Sequence, residues 1–249
     1  EPIAITNCLN FGNPEKDKIM GQFVETIDGI SQACNYLDFP VVSGNVSFYN
    51  ETQNKAISPT PTIGGVGLIR NLNLVTTKDF KEIGSSIFVI GRTSGHLYQS
   101  EFFREIMNIY EGPPPEINLF NEKNNGLIVQ KIILKKMANA VHDISSGGLL
   151  VALSEMCFFE KIGANIKISQ NKINLHEYLF GEDQSRYIIE VKEENKDKVS
   201  NMLKENSIYF DIIGKTQKEN IEINNKLSIK VVELNKLNKC WFKSYFEEK

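Results

Sequence analysis

An aspartate set beside two glycines at the mouth of an apolar run is the first place where this 249-residue chain could do chemistry. In VHDISSGGLLVALSEM, residues 141 to 156, an apolar approach ends in His142-Asp143, a Ser-Ser-Gly-Gly knot follows, and a run at helical spacing begins. Ser145 or Ser146 can cap a helix starting near Gly148, because a serine oxygen accepts from the free N–H groups of a first turn. Gly147 and Gly148 take positive φ, or let a ligand approach the backbone, at no steric cost. A helix N-terminus attracts anions, and a carboxylate just ahead of it can hold Mg²⁺ that bridges to phosphate. Two readings therefore fit. One is a capped turn with Asp143 as an ordinary turn residue. The other is a site in which Asp143 ligates metal and Ser145, Gly147 and Gly148 meet phosphate. His142 alternates to the other face of its strand and reads as a packed side chain.

Three further stretches carry polar groups at close spacing. SGNVSFYNE offers Ser43, Gly44, Asn45 and Ser47 after an apolar strand, with Phe48 and Tyr49 as walls. It reads either as a cradle for phosphate or a polar substrate or as a hairpin-like turn. TNCLNFGNP places Asn7, Asn10, Gly12 and Asn13 in one expected loop, suited to turns and to amide recognition alike. LFGEDQSRY holds Glu182, Asp183 and Arg186, either facing a cleft or forming an exposed local pair, worth about 0–1 kcal/mol. His96 and His176 lack partners nearby in sequence and read as structural. Cys8 has no general base beside it and is a poor nucleophile. The patterns GxxxxGK[ST], GxGxxG, HExxH and GxSxG are absent, so any ATP is bound on a different scaffold.

The elements that must position these residues follow from pattern. Hydrophobic residues are 41% and charged residues 24%, enough for a core without staples. A net charge of −3 gives no global pull toward nucleic acid or anionic membrane. Cys8, Cys34, Cys157 and Cys240 are far apart and form no CxxC pair, which suits reduced thiols in a cytosolic protein. No apolar run approaches the ~20 residues of a membrane span. The first residue is Glu1 rather than Met, at the start of a strand, which leads us to expect a fragment lacking its first elements.

IAIT predicts a strand, NCLNFGNPEK a loop, and the stripe Ile19, Phe23, Ile27, Ile30, Cys34, Leu37 a helix that Phe39-Pro40 ends. PVVSGNVSFYNE predicts a short strand breaking into a loop, and TIGGVGLIRNLNLV a glycine-rich strand. The polar stretch TTKDFKEIG, near residues 76 to 84, suggests two domains, 1–78 and 79–249. In the second, strands are expected at SSIFVIG, NAVHD, ANIKIS, RYIIEV and IYFDIIGK. Helices are expected at HLYQSEFFREIMNIY, GLIVQKIILKKM, GLLVALSEMCFFEK and EENKDKVSNMLKEN, with a short helix and turn at NLHEYLFGEDQS. A strand and a terminal helix are expected over LSIKVVELNKLNKCWFKSYFEEK. Some strands follow one another directly, which favours an α+β sheet, ferredoxin-like, with helices on one face.

Taken in order, ITNCLNFGNPEK, GQFVETIDGISQAC, PVVSGNVSFYNET, PTPTIGGVGLI, VHDISSGGLLVALSEM and LFGEDQSRY resemble the small-form phosphoribosylformylglycinamidine synthase large subunits of the aminoimidazole ribonucleotide synthetase-like superfamily. The resemblance covers essentially the whole chain. It implies a partial N-type α/β domain followed by a ferredoxin-like C-type α+β domain, the second half of an internally duplicated subunit. It implies an ATP-dependent ligase of purine biosynthesis that turns formylglycinamide ribonucleotide and glutamine-derived ammonia into the amidine, with ADP and phosphate. Mg²⁺ and ATP or ADP are the implied cofactors, with Asp143 as metal ligand at an auxiliary nucleotide site and Ser145, Gly147 and Gly148 on the nucleotide. Gly12, Asn13, Ser43, Gly44, Asn45 and Ser47 are the implied substrate-side residues. The family's catalytic histidine matches none of His96, His142 and His176, so no catalytic residue is expected here. The implied partners are the missing N-terminal half of the subunit, a glutaminase subunit and a small bridging subunit, in the cytoplasm. A stand-alone homodimeric synthetase or kinase of the superfamily, or a non-catalytic nucleotide-binding module, are the alternatives. SGNVSFYNE argues against the first of these.

Overall fold

The computed structural model describes residues 1–169 and 173–247, and the chain divides into two compact units, Glu1–Asn73 and Leu74–Lys249. In the first unit, β1 (Pro2–Asn10) leads into α1 (Asp17–Leu37) and then β2 (Val41–Ser47), which pairs with β1 in parallel. A two-residue pair, β3 (Glu51–Thr52) and β4 (Lys55–Ala56), precedes β5 (Thr60–Gly67), which runs antiparallel on the other side of β1. The sheet order is β2-β1-β5.

Two expected loops are strand here. Asn7 to Asn10 continue β1, and Ser43 to Ser47 continue β2, because β1 is central and both of its edges are laddered. Backbone pairing on both sides outweighs the turn preference of Asn, Gly and Ser. The predicted α1 stripe is helical throughout, and Asp38, at φ 55, ends it just before Phe39-Pro40. Its anchor is a small core of Leu9, Phe11 and Ile19, with the Phe11 and Phe23 rings edge to face at 5.4 Å.

The second unit is a seven-stranded, mostly antiparallel sheet. Its elements are β6 (Ser86–Ile90), α2 (Leu119–Leu134), β7 (Ala140–Asp143), α3 (Gly148–Cys157), β8 (Ile162–Ile166) and α4 (Leu175–Phe180). They continue as β9 (Tyr187–Val191), α5 (Lys196–Glu205), β10 (Phe210–Lys218), β11 (Asn220–Ile223), β12 (Leu227–Lys230) and α6 (Val231–Glu247). The order is β12-β11-β8-β10-β6-β9-β7, with β11 and β8 parallel. The α+β class expected from sequence holds.

Its helices, however, cover both faces rather than one. Ile87, Val89 and Ile188 pack into one core with Leu149, Leu153 and Met156 of α3. Phe88, Ile90, Ile189 and Val191 pack into another with Ile128 and Ile132 of α2 and Val199 and Leu203 of α5. Strands apolar on both faces need cover on both. The helix expected over HLYQSEFFREIMNIY is reduced to one π turn, Phe102–Ile106, between the left-handed residues Gln99 (φ 62) and Asn108 (φ 55). The terminal helix forms as expected up to Glu247, and its last two expected residues lie outside the described range. β11 was not expected. No helix among the described residues is long and apolar enough to cross a membrane.

Candidate functional site

In the second unit, the turn after β7 and the segment between α4 and β9 meet in a cavity of about 350 Å³. β7 is one of the two edge strands, and Asp143, its last residue, lies opposite Tyr187, the first residue of β9. Asp143, Ser145 and Ser146 line the cavity from one side, and Glu182, Gln184 and Arg186 from the other. A second cavity of about 620 Å³ adjoins it, sharing Tyr98, Pro115, Asp183, Gln184 and Ser185.

Four carboxylates border this cleft, and three are tied down. Glu182 Oε1 accepts from the Glu101 and Gly147 N–H groups at 2.7 and 2.8 Å. Asp183 accepts from three successive amides, Ser94, Gly95 and His96, at 3.0, 2.9 and 3.3 Å. Glu122 accepts the Ser185 hydroxyl. Asp143 remains turned to solvent, its side chain 61% exposed, with the His142 ring 3.1 Å from Oδ1. Partial burial raises the Asp143 pKa, but hydrogen bonds from His142 and Ser145 outweigh it, so the carboxyl lies below its ordinary value and is ionised at neutral pH. Burial pushes the Tyr187 phenol up to about 12, with the Glu122 and Asp143 charges adding to it. That leaves a neutral hydroxyl on the cleft wall.

Of the two readings open for Glu182, Asp183 and Arg186, the cleft-facing one matches the structure, and the pair at 183 and 186 is buried rather than exposed. The Arg186 side chain is fully covered, 3.8 Å from Asp183 Oδ2, and donates to Thr93 Oγ1 and to the carbonyls of Gly181 and Asp183. Burial lowers its pKa, and the neighbouring Asp183, Tyr178 and Glu182 raise it. A buried cation set among carbonyls and a carboxylate is a structural pivot.

The cap at α3 is also not serine. Gly147 is the N-cap residue, at φ 83, and no side-chain oxygen caps the helix from that position. The carboxylate of Glu182 fills that role at the Gly147 amide, and the Gly148 N–H donates to the Ser145 carbonyl at 3.0 Å. Gly148 (φ 71) lies against α4, since a Cβ there would stand 2.7 Å from the Phe180 carbonyl carbon. Close packing and positive φ thus account for this glycine. Glu155, missed in the sequence, lies two turns into α3 and reaches His142 Nε2 at 2.9 Å. No local pattern signals it, because the contact spans 13 residues across two elements.

The other expected cluster belongs to the first unit. Ser43 Oγ donates to Thr6 Oγ1 at 2.7 Å, and a Cβ on Gly44 would meet Asn7 Oδ1 at 2.1 Å. Asn45 pairs with Cys8 in mid-strand. Gly12, Asn13 and Ser47 gather at the carboxyl ends of β1 and β2: Phe11 N–H donates to the Ser47 carbonyl and Tyr49 N–H to the Gly12 carbonyl, both at 3.0 Å. The Asn13 side chain accepts from Glu15 N–H at 2.9 Å and starts the turn into α1. Ligands of α/β sheets commonly sit beyond the carboxyl ends of parallel strands.

Among the described residues, no group of three or more His, Cys, Asp or Glu side chains forms a metal cage. A single ionised, solvent-facing carboxylate fits Mg²⁺, which is commonly held by one or two carboxylates together with phosphate and water. It does not fit a dedicated zinc site.

Comparison with known proteins is consistent along the chain. Residues 1–69 match the model of the AIR synthase related protein N-terminal domain, and residues 82–224 that of the AIR synthase related protein C-terminal domain. The chain is 51% identical over 99% of its length to the phosphoribosylformylglycinamidine synthase subunit PurL of Pelagibacter ubique, covering 34% of that protein. It is 44% identical over 98% of its length to the subunit of the same name from Rhodopseudomonas palustris, covering 33%. It thus spans about a third of the curated relatives it matches. The structure of T. maritima PurL complexed with FGAR overlays with a TM-score of 0.75 at 17% identity, across 94% of this chain and 40% of that one.

Proposed function

We propose, for a chain that belongs to the AIR synthase related protein family, that it works as part of a phosphoribosylformylglycinamidine synthase, an ATP-dependent C–N ligase of purine biosynthesis. The observation that carries this reading is the 51% identity over 99% of the chain to the Pelagibacter subunit. In the reaction, the γ-phosphoryl group of ATP passes to the glycinamide carbonyl oxygen of formylglycinamide ribonucleotide, and the formyl group is left untouched. Ammonia then adds at the glycinamide carbonyl carbon and phosphate leaves, giving the amidine, ADP and phosphate.

The cleft of the second unit is the nucleotide side. Asp143 would hold Mg²⁺ there, and Mg²⁺ supplies neutralisation of phosphate charge. Ser145 offers a hydroxyl at the rim. Gly147 and Gly148 shape the turn, and their amides reach a phosphate only if Glu182 and the Ser145 carbonyl yield them. The carboxyl ends of β1 and β2 are the substrate side, with Gly12, Asn13 and Ser47 nearest and Ser43, Gly44 and Asn45 along β2. No residue of this chain is assigned a bond-making role. The remainder of the subunit supplies it, and a glutaminase subunit with a small bridging subunit supplies ammonia, in the cytoplasm.

A steady-state assay of the chain alone with ATP, ammonium and formylglycinamide ribonucleotide tests this division of labour. The expected result is no product above background. Turnover at an ordinary enzyme rate, ~10 s⁻¹, would overturn it.

A further inference from the structure

Behind Asp143 lies a chain of polar contacts that the reading above leaves unused. His142 Nδ1 stands 3.1 Å from Asp143 Oδ1, and its Nε2 stands 2.9 Å from Glu155 Oε2. The same Glu155 oxygen accepts from Lys78 Nζ at 2.8 Å. The four residues come from the segment before β6, from β7 and from α3. That first segment is fastened at both sides: Val141 N–H donates to the Thr77 carbonyl at 3.1 Å, and Phe80 N–H to the Met156 carbonyl at 2.9 Å. The His142 side chain is 15% exposed, against 61% for Asp143. A nearly covered ring is thus clamped between two carboxylates, one scaffolded and one facing the cleft. Ionised carboxylates only accept, so a ring nitrogen donates to the carboxylate it meets when it carries the proton, and with Nδ1–H the ring donates to Asp143.

We propose that His142 is a positioning residue for Asp143: held from behind by Glu155 and Lys78, it engages Oδ1 and fixes the direction in which the carboxylate faces a divalent cation. This rests on the reading of Asp143 as the Mg²⁺ ligand. An outer partner that orients a ligating carboxylate is worth roughly 10–100-fold in metal affinity. Lys78, half exposed, adds through Glu155 and contributes least.

Manganese with ADP, titrated into the protein and followed by calorimetry, tests the assignment with four proteins: wild type, Asp143→Asn, His142→Gln and His142→Asn. Asparagine keeps an N–H donor near the Nδ1 position, whereas glutamine carries its amide toward Glu155. The expected result is a loss of affinity of roughly 10–100-fold in His142→Gln, a return to within a few-fold of wild type in His142→Asn, and unchanged melting temperatures of both variants in EDTA. Wild-type affinity in His142→Gln beside lost affinity in Asp143→Asn would overturn the positioning role and leave the Asp143 reading standing. Unchanged affinity in Asp143→Asn, or no binding by wild type, would remove the Asp143 reading and the positioning role with it. On the unaltered protein, adding Mg²⁺ and ADP should shift the His142 ring nitrogen resonances, and unmoved resonances would likewise overturn the proposal.

Discussion

Asp143 and Glu182 border one cleft with the same functional group and are given different work by their surroundings. Glu182 spends its oxygen on two backbone amides, whereas Asp143 keeps a solvent-facing carboxylate. Cys157 shows how strongly burial acts on a single group here, for its thiol is pushed up to about 12 with no charged neighbour involved. The neutral thiol is favoured in the fold, so this stabilisation is present below the ordinary value of 9.0 and is lost as pH rises through 9 toward 12. Thiol labelling at pH about 8 should therefore modify the exposed Cys240 rapidly and Cys157 only after unfolding. Fast labelling of native Cys157 would contradict the packing of α3. At this scale the sequence was informative where chemistry is local: the HDISSGG stretch does stand at a cleft. It was silent on Glu155 and Lys78, whose partners lie 13 and 77 residues away.

At the scale of elements, the segment 181–186 between α4 and β9 organises the site more than any helix does. Its two carboxylates collect five backbone N–H groups from the 94–96, 101 and 147 positions, and Arg186 fixes it from beneath. Asp183→Ala would leave three amides without their acceptor and a buried guanidinium without its counter-charge. The expected cost is about 3–5 kcal/mol in denaturant unfolding, and a cost below about 1 kcal/mol would mean the pair is no pivot. The alternating and apolar runs made most of these elements legible, including α1, β6, β9 and the Asp143 strand. The covering of both sheet faces was also present in SSIFVIG and RYIIEV, which are apolar without alternation. The cap on α3 was not legible, because a serine in the right place competes with a carboxylate 35 residues away. The strand extensions at Asn7–Asn10 and Ser43–Ser47 were hidden for a similar reason: ladder partners override turn preference, and those partners are distant in sequence.

For the molecule as a whole, two compact units each carry one of the expected clusters, the residues proposed for the substrate side in the first and Asp143 in the second. The first unit has a small buried core and leaves Val42, Val46, Ile63 and Val66 exposed on its strands. Apolar strand surface of this kind invites association. Static light scattering should show the weight-average mass rising with concentration, and a constant monomer mass would count against it. Whether the chain serves as one share of a longer enzyme is decided by a chimera. In the Pelagibacter subunit, which is 51% identical where the two align, the matching third is replaced by this chain. ADP release is then followed with ATP, ammonium and formylglycinamide ribonucleotide. The predicted result is ADP release that depends on both ammonium and the ribonucleotide, and that vanishes when the segment is deleted. A folded chimera without that dependent release, or a deleted subunit as active as the chimera, would contradict the account.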